Sequence, residues 1–203
     1  MVQSNDFIQA MLQTGNHNLS QQQQELQCPA DGSKPCVLRR KTVCKDWESI
    51  FEEKTEELYG DSWSFEFDDS IEPENPAHNW YQYIRGAFAR FTCSKCKKTW
   101  PSRRVLVVFD FQLQERTKTG TVKARRFRQN CKRCKEAQME EPQFEVDNIE
   151  VLLDKLVERI RMRCYRENLG QNNRGFRPVG ISEGPHESSH CEACLRGICR
   201  KSE

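Results

Sequence analysis

Two Cys-x-x-Cys pairs, Cys93/Cys96 and Cys131/Cys134, bracket a stretch of alternating apolar residues, and a third pair, Cys191/Cys194, follows near the end of the chain. No other feature restricts the fold as much. Zn²⁺ takes four N or S ligands in a tetrahedron, with Zn–S bonds of about 2.3 Å. A two-residue spacer lets one turn of backbone aim both sulfurs at one point. One such pair is shared with redox motifs, but two pairs around a β-rich stretch give the order of a zinc ribbon: knuckle, hairpin, knuckle. The spacing predicts a closed, structural Cys₄ zinc site from Cys93, Cys96, Cys131 and Cys134. The competing use of cysteine is a disulfide framework. With 11 cysteines in 203 residues and 31% charged residues, the chain is too large and too charged for a cysteine-stapled miniprotein. Residues 1–19 lack the basic start and apolar core of a secretory signal. The thiols are therefore expected to be reduced, and no run approaches the ~20 apolar residues of a membrane-spanning helix.

The formal net charge of +2 hides a strong segregation. Residues 46–84 hold 12 acidic residues against one lysine, residues 85–135 hold 16 basic against two acidic, and residues 136–160 hold 8 acidic against two basic. Acidic elements neutralising a basic ribbon within one fold explain this pattern, and a basic patch facing an acidic partner is compatible with it.

Residues 1–45 are Gln-rich and turn-rich without periodicity, and read as a disordered extension. Cys28, Cys36 and Cys44 recur there at a spacing that fits no zinc knuckle, and are expected to be free thiols. A domain is expected over 46–199, with 200–203 as a tail. Its lead-in, 46–84, opens with Asp46 as N-cap of a helix that buries Trp47, Ile50, Phe51 and Leu58 and stops at Gly60. Trp63, Phe65 and Phe67 alternate as a short strand. Trp80, Tyr81, Tyr83 and Ile84 are read as core in preference to a base-stacking platform. In the ribbon, 85–135, Val105 to Leu113 has strand periodicity, Lys118-Thr119-Gly120 reads as the hairpin turn, and 121–129 returns to the second knuckle. A helix over 147–165, capped by Asp147, carries Ile149, Leu152, Leu153, Leu156, Val157 and Ile160 on one face. The expected fold class is α+β: a zinc-ribbon-type antiparallel sheet packed with an N-terminal helix and a long amphipathic helix.

The third knuckle, within 185–199, supplies only two ligands. His190 adjoins Cys191, so its ring points away from a metal held there, whereas His186 folds back over the knuckle. Cys164 ends the long helix, and the 168–184 loop allows Cys191 to reach it. A second zinc site is thus expected from Cys164, His186, Cys191 and Cys194, with Cys199 as the substitute for Cys164.

The run Phe91-Thr-Cys93-Ser-Lys-Cys96 with Trp100, the segment 122–134, and above all Pro185-His186-x-x-x-x-Cys191-Glu-Ala-Cys194 resemble the receptor-transporting proteins, built on the 3CxxC-type zinc finger. Asp46-Trp47-Glu48 and Trp80-Tyr81-Gln82-Tyr83 are similar to the start of that domain, and His186 with the third knuckle recurs in the related zygote arrest proteins. The resemblance implies a protein that binds G-protein-coupled receptors of odorant, bitter-taste or opioid type and promotes their delivery to the cell surface. It also implies a cytoplasmic location against membranes of the secretory pathway or the plasma membrane. The family's usual C-terminal membrane anchor has no counterpart before Glu203, and residues 1–45 have none either.

Two further readings come from the residues themselves. Lys95, Lys97, Lys98, Arg103 and Arg104 are expected to cluster at one end of the ribbon, suited to acidic receptor loops or an anionic membrane surface. Lys123, Arg125, Arg126 and Arg128 around Phe127 form a run that could hold RNA phosphates. Alternation nevertheless splits them between two faces, and pairing with acidic helices is the plainer use. An RNA-binding role of the interferon-responsive, antiviral kind is the alternative function. No enzyme and no small-molecule substrate are expected: a Cys₄ zinc has no open position, and the deaminase pattern of His-x-Glu followed by Pro-Cys-x-x-Cys is absent.

Overall fold

The computed structural model describes residues 46–56, 58–170 and 186–199, together with the backbone of β1 (Leu26–Gln27) and β2 (Val37–Leu38). The chain divides into two units, Met1–Cys44 and Lys45–Glu203. In the first, β1 and β2 pair antiparallel, with Leu26 opposite Leu38. Apart from this pair, the expected disordered extension lies outside the described residues, as do Cys28, Cys36, Cys44, most of the 168–184 loop and the 200–203 tail.

The second unit opens with α1 (Trp47–Thr55). Asp46 caps it as expected: its carboxylate accepts from the Ser49 N–H at 2.9 Å, while the Ser49 hydroxyl accepts from the Asp46 N–H at 3.1 Å. This reciprocal bonding satisfies two groups that a helix start otherwise leaves unpaired. Trp47, Ile50 and Phe51 are buried, and Glu48, Glu52 and Glu53 face water. The helix ends at Thr55, ahead of Gly60 at φ +71°.

The sheet comprises β3 (Ser62–Phe67), β4 (Tyr81–Thr92), β5 (Thr99–Gln114) and β6 (Thr119–Arg126), in spatial order β3-β6-β5-β4. The β4–β5 and β5–β6 pairs are antiparallel, as the knuckle–hairpin–knuckle order requires. The expectation of a wholly antiparallel sheet needs correction, because β3 runs parallel to β6. The chain leaves β3 at one edge, crosses the sheet through 68–80 and re-enters at the other edge in the same direction. The hairpin turn falls at residues 115–118, ahead of the expected Lys118–Gly120, and Gly120 lies inside β6. A Cβ at Gly120 would sit 2.2 Å from Trp63 Cδ2, so only glycine lets the indole lie flat on this strand.

β5 is covered on both faces, which explains its nearly unbroken apolar run over Val105–Phe111. Val107, Phe109 and Phe111 point toward α1 and α2 (Val146–Cys164) and join Leu152, Leu153, Leu156 and Ile160 in the main core. Leu106 and Val108 point the other way and meet Ile71, Phe127, Cys191 and Ala193. The third knuckle therefore lies on the sheet face opposite the long helix. α2 starts one residue before Asp147, with Glu145 at the N-cap position and no side-chain cap; Asp147 sits in the first turn, where its charge suits the helix dipole. Tyr83 packs on the main core as expected of that aromatic group, whereas Tyr81 stays 43% exposed.

Candidate metal centres

The first knuckle is the turn between β4 and β5. Cys93 N–H donates to Lys98 O and Lys97 N–H to Cys93 O, and Lys97 takes a left-handed conformation to close the turn. The second follows β7 (Gln129–Asn130), which pairs with β8 (Met139–Glu140). Because β4, β5 and β6 are neighbours, their ends bring the knuckles together. Cys93 Sγ lies 3.9 Å from Cys134 Sγ, and Cys96 Sγ lies 3.8 Å from Cys131 Sγ. A tetrahedron with 2.3 Å Zn–S bonds has edges of about 3.8 Å, whereas a disulfide would need about 2.05 Å. The four sulfurs fit one zinc ion. Cys93 and Cys131 are buried while Cys96 is exposed, so the site sits at the tip of the sheet with its inner half closed.

The thiols also act on one another. The Lys98 N–H and the neighbouring Cys134 hold the Cys96 thiol down at about 7, while Cys96 beside it pushes Cys134 up to about 12. Four thiolates at this spacing repel one another unless a cation stands between them. The surrounding residues brace the site. Glu140 accepts from the Ser94 N–H and hydroxyl at 2.6 and 2.7 Å, and Lys95 donates to Lys135 O and Glu136 O. Trp100 stacks on Phe91 and donates to Gln129, which donates to Ser102. Glu140 and Gln129 carried no sequence signal, since their role depends on β7–β8 pairing.

The second cluster comprises His186, Cys191, Cys194 and Cys199, whose ligand atoms all lie within 4.8 Å of one another. His186 Nε2 is 3.6 Å from Cys199 Sγ and 3.0 Å from Cys194 Sγ. The first distance matches the about 3.6 Å N···S edge of a zinc tetrahedron, and the second is shorter. The structure gathers His186, Cys191 and Cys194 as expected but puts Cys199 in the place given to Cys164. Cys164 packs against the main core at the end of α2, where burial pushes its thiol up to about 11. Cys191 belongs to the opposite face, so the sheet separates the two. His190 does turn away, bonding Asn130 through Nδ1 at 2.7 Å.

The basic run on β6 is largely used internally. Arg125 is 3% exposed, donating to Ile71 O and to Glu192 at 2.7 Å each and lying over Phe127. Lys123 pairs with Asp68 and Glu66, Arg126 with Glu141, and Arg128 with Asp69 and Glu141. The proposed cluster at the ribbon end is also divided. Lys95, Lys97 and Lys98 occupy the knuckle turn, whereas Arg103 and Arg104 sit further along β5 at a bulge opposite Ala87–Ala89. That bulge turns two consecutive residues outward.

A four-stranded sheet with knuckles joined at its tip is a zinc-ribbon architecture, and its two clusters fit one or two structural zinc ions. A family profile described as a 3CxxC zinc-ribbon, zinc-binding domain matches residues 86–197. Receptor-transporting protein 2 of Mus musculus is 36% identical over 161 residues, covering 77% of this chain and 70% of that protein. Receptor-transporting protein 3 of Mus musculus is 35% identical over 78% of this chain, and receptor-transporting protein 4 of Homo sapiens 32% over 75%. The chain spans 34% of the length of that protein 3 and 63% of that protein 4. No solved structure matches. The chain belongs to the receptor-transporting protein family, as the resemblance of its knuckles implied. Among the described residues no helix is long and apolar enough to cross a membrane.

Proposed function

We propose that this chain is a zinc-stabilised, non-catalytic accessory protein that binds G-protein-coupled receptors of odorant, bitter-taste or opioid type and promotes their trafficking to the cell surface. The supporting observation is the extent of similarity to proteins named for receptor transport: 161 aligned residues with protein 2, well beyond the 86–197 span of the zinc-binding domain. Zinc acts structurally in this reading, holding the two knuckles so that the surface around them keeps one shape. The exposed Lys97 at the tip and Arg103 at the β5 bulge suit acidic receptor loops or the anionic cytoplasmic leaflet. The site of action is the cytoplasmic side of secretory or plasma membranes. Co-expression with a retained receptor tests the reading: surface receptor rises with the wild-type chain and does not rise with Cys131→Ser. A full rise with Cys131→Ser refutes structural zinc as the basis of the activity.

The RNA reading has weaker support. Of the run proposed to hold phosphates, Arg125 is buried and Lys123, Arg126 and Arg128 already face carboxylates. Tight RNA binding that falls steeply with salt and persists in Arg126→Gln/Arg128→Gln would shift attention to the lysines of the knuckles.

A further inference from the structure

The two metal clusters differ in how they are built. The first joins two knuckles 35 or more residues apart and is held by a sheet that exists around it. The second is contained in 186–199, a segment whose regular structure is one 3-10 turn, Ser188–His190, and α3 (Glu192–Leu195). A four-residue helix has no independent stability. The segment buries only Cys191 and Ala193 fully, with Cys194, Ile198 and Cys199 packed beside them. Metal must therefore supply most of the energy that folds it.

Once folded, the segment fastens to the sheet by polar ties at one end. Glu192 accepts from Arg125 at 2.7 Å and from the Arg128 N–H at 3.0 Å, while the Glu192 N–H donates to Arg128 O. Cys191 bridges to Gln129, and His190 bonds Asn130. Beneath lie Leu106, Val108 and Phe127. The Arg125–Glu192 pair is buried on the arginine side, with the two side chains 4% and 15% exposed. Arg125 would lose its carboxylate if the segment left.

The geometry points to an exchangeable zinc site at His186, Cys191, Cys194 and Cys199 that works as a clasp: Zn²⁺ there holds 186–199 on the sheet, and its loss bares the Leu106–Val108–Phe127 face while the first site stays closed. The ligand is the metal ion itself. The step is simple exchange: zinc departs to a chelator, and the released thiolates take up protons from water. Glu192 is the positioning residue, linking the folded knuckle to Arg125 without touching the metal.

Graded chelation of the purified, zinc-loaded chain tests this, with released zinc, hydrogen exchange and the fluorescence of an apolar dye read together. One of two zinc ions should leave first. With it the amides of Leu195, Ile198 and Cys199 should lose protection and dye fluorescence should rise several-fold, while β4, β5 and α2 stay protected. Cys199→Ser should show this state without chelator. Glu192→Gln, which keeps every ligand, should retain two zinc ions and protected Ile198 and Cys199 amides yet still bind dye. Release of both ions in one step with loss of sheet protection overturns the clasp. So does loss of one ion with the 195–199 amides unchanged, a Cys199→Ser chain that fails to fold, or Glu192→Gln that binds no dye. None of these readouts involves a receptor, so failure here leaves the trafficking reading standing, and the reverse also holds.

Discussion

Gly120 and Asp68 show how much rests on single side chains in this fold. Gly120 carries no Cβ because the Trp63 ring occupies that position, and Trp63 is itself held by Tyr165, which bonds Asp61. Gly120→Ala must displace the indole and should destabilise the domain by about 1–3 kcal/mol, the usual cost of overpacking; a lowered urea midpoint at unchanged slope checks it. Asp68 accepts from the Ser70 hydroxyl and N–H and from Lys123, which hold its carboxyl down at about 2 against an ordinary 3.8. A carboxylate with a depressed pKa contributes stability that is present above 3.8 and disappears as the pH falls through about 2. Asp68→Asn should lower the melting temperature throughout the pH range in which zinc stays bound, where the carboxylate's contribution is fully present. Thermal melts at stepped pH measure the difference. Arg125 shows what sequence leaves open at this scale: a buried, ion-paired arginine and a phosphate-binding one look alike until the carboxylate opposite, here Glu192, is located.

At the scale of elements, α2 was the most legible. Its apolar positions repeat at helical spacing, and Leu152, Leu153, Leu156 and Ile160 are fully buried against the sheet. Leu152→Ala should cost about 2–5 kcal/mol, the price of a buried leucine plus the cavity left behind, and a fall in melting temperature without zinc loss would separate this effect from damage to the metal sites. Period-two alternation located β3, an edge strand that turns Trp63 and Phe65 to the core and its other face to water, whereas β5 carries apolar side chains on both faces because both are covered. Boundaries were less legible. The β5–β6 turn slipped by about three residues because Gly120 looked like turn chemistry when its real function is to clear space for Trp63.

At the scale of the molecule, the helices cover one face of the sheet and the third knuckle the other, with zinc ligands at the tip and on that second face. This arrangement makes the metals part of the fold, so removing them should unfold the domain in two unequal stages. Cys93→Ser should bring loss of sheet structure, whereas Cys199→Ser should leave the far-ultraviolet signal of the sheet and α2 largely intact. Elemental zinc analysis with circular dichroism on both variants checks the asymmetry. Equal damage from both would show that the two clusters stabilise one cooperative unit.

The first zinc cluster and the α+β class were readable from the chain alone, because ligand spacing and hydrophobic period are local properties that survive in sequence; the family was readable through the resemblance of its knuckle segments. The partner of the third knuckle was not. Cys164 and Cys199 both lay within plausible reach, and the choice depended on which side of the sheet the chain returns to after α2. The same holds for the parallel entry of β3, the brace from Glu140, and which carboxylates pair with the basic strand. Each depends on groups far apart in sequence meeting across a face or an edge, and only tertiary packing decides such meetings.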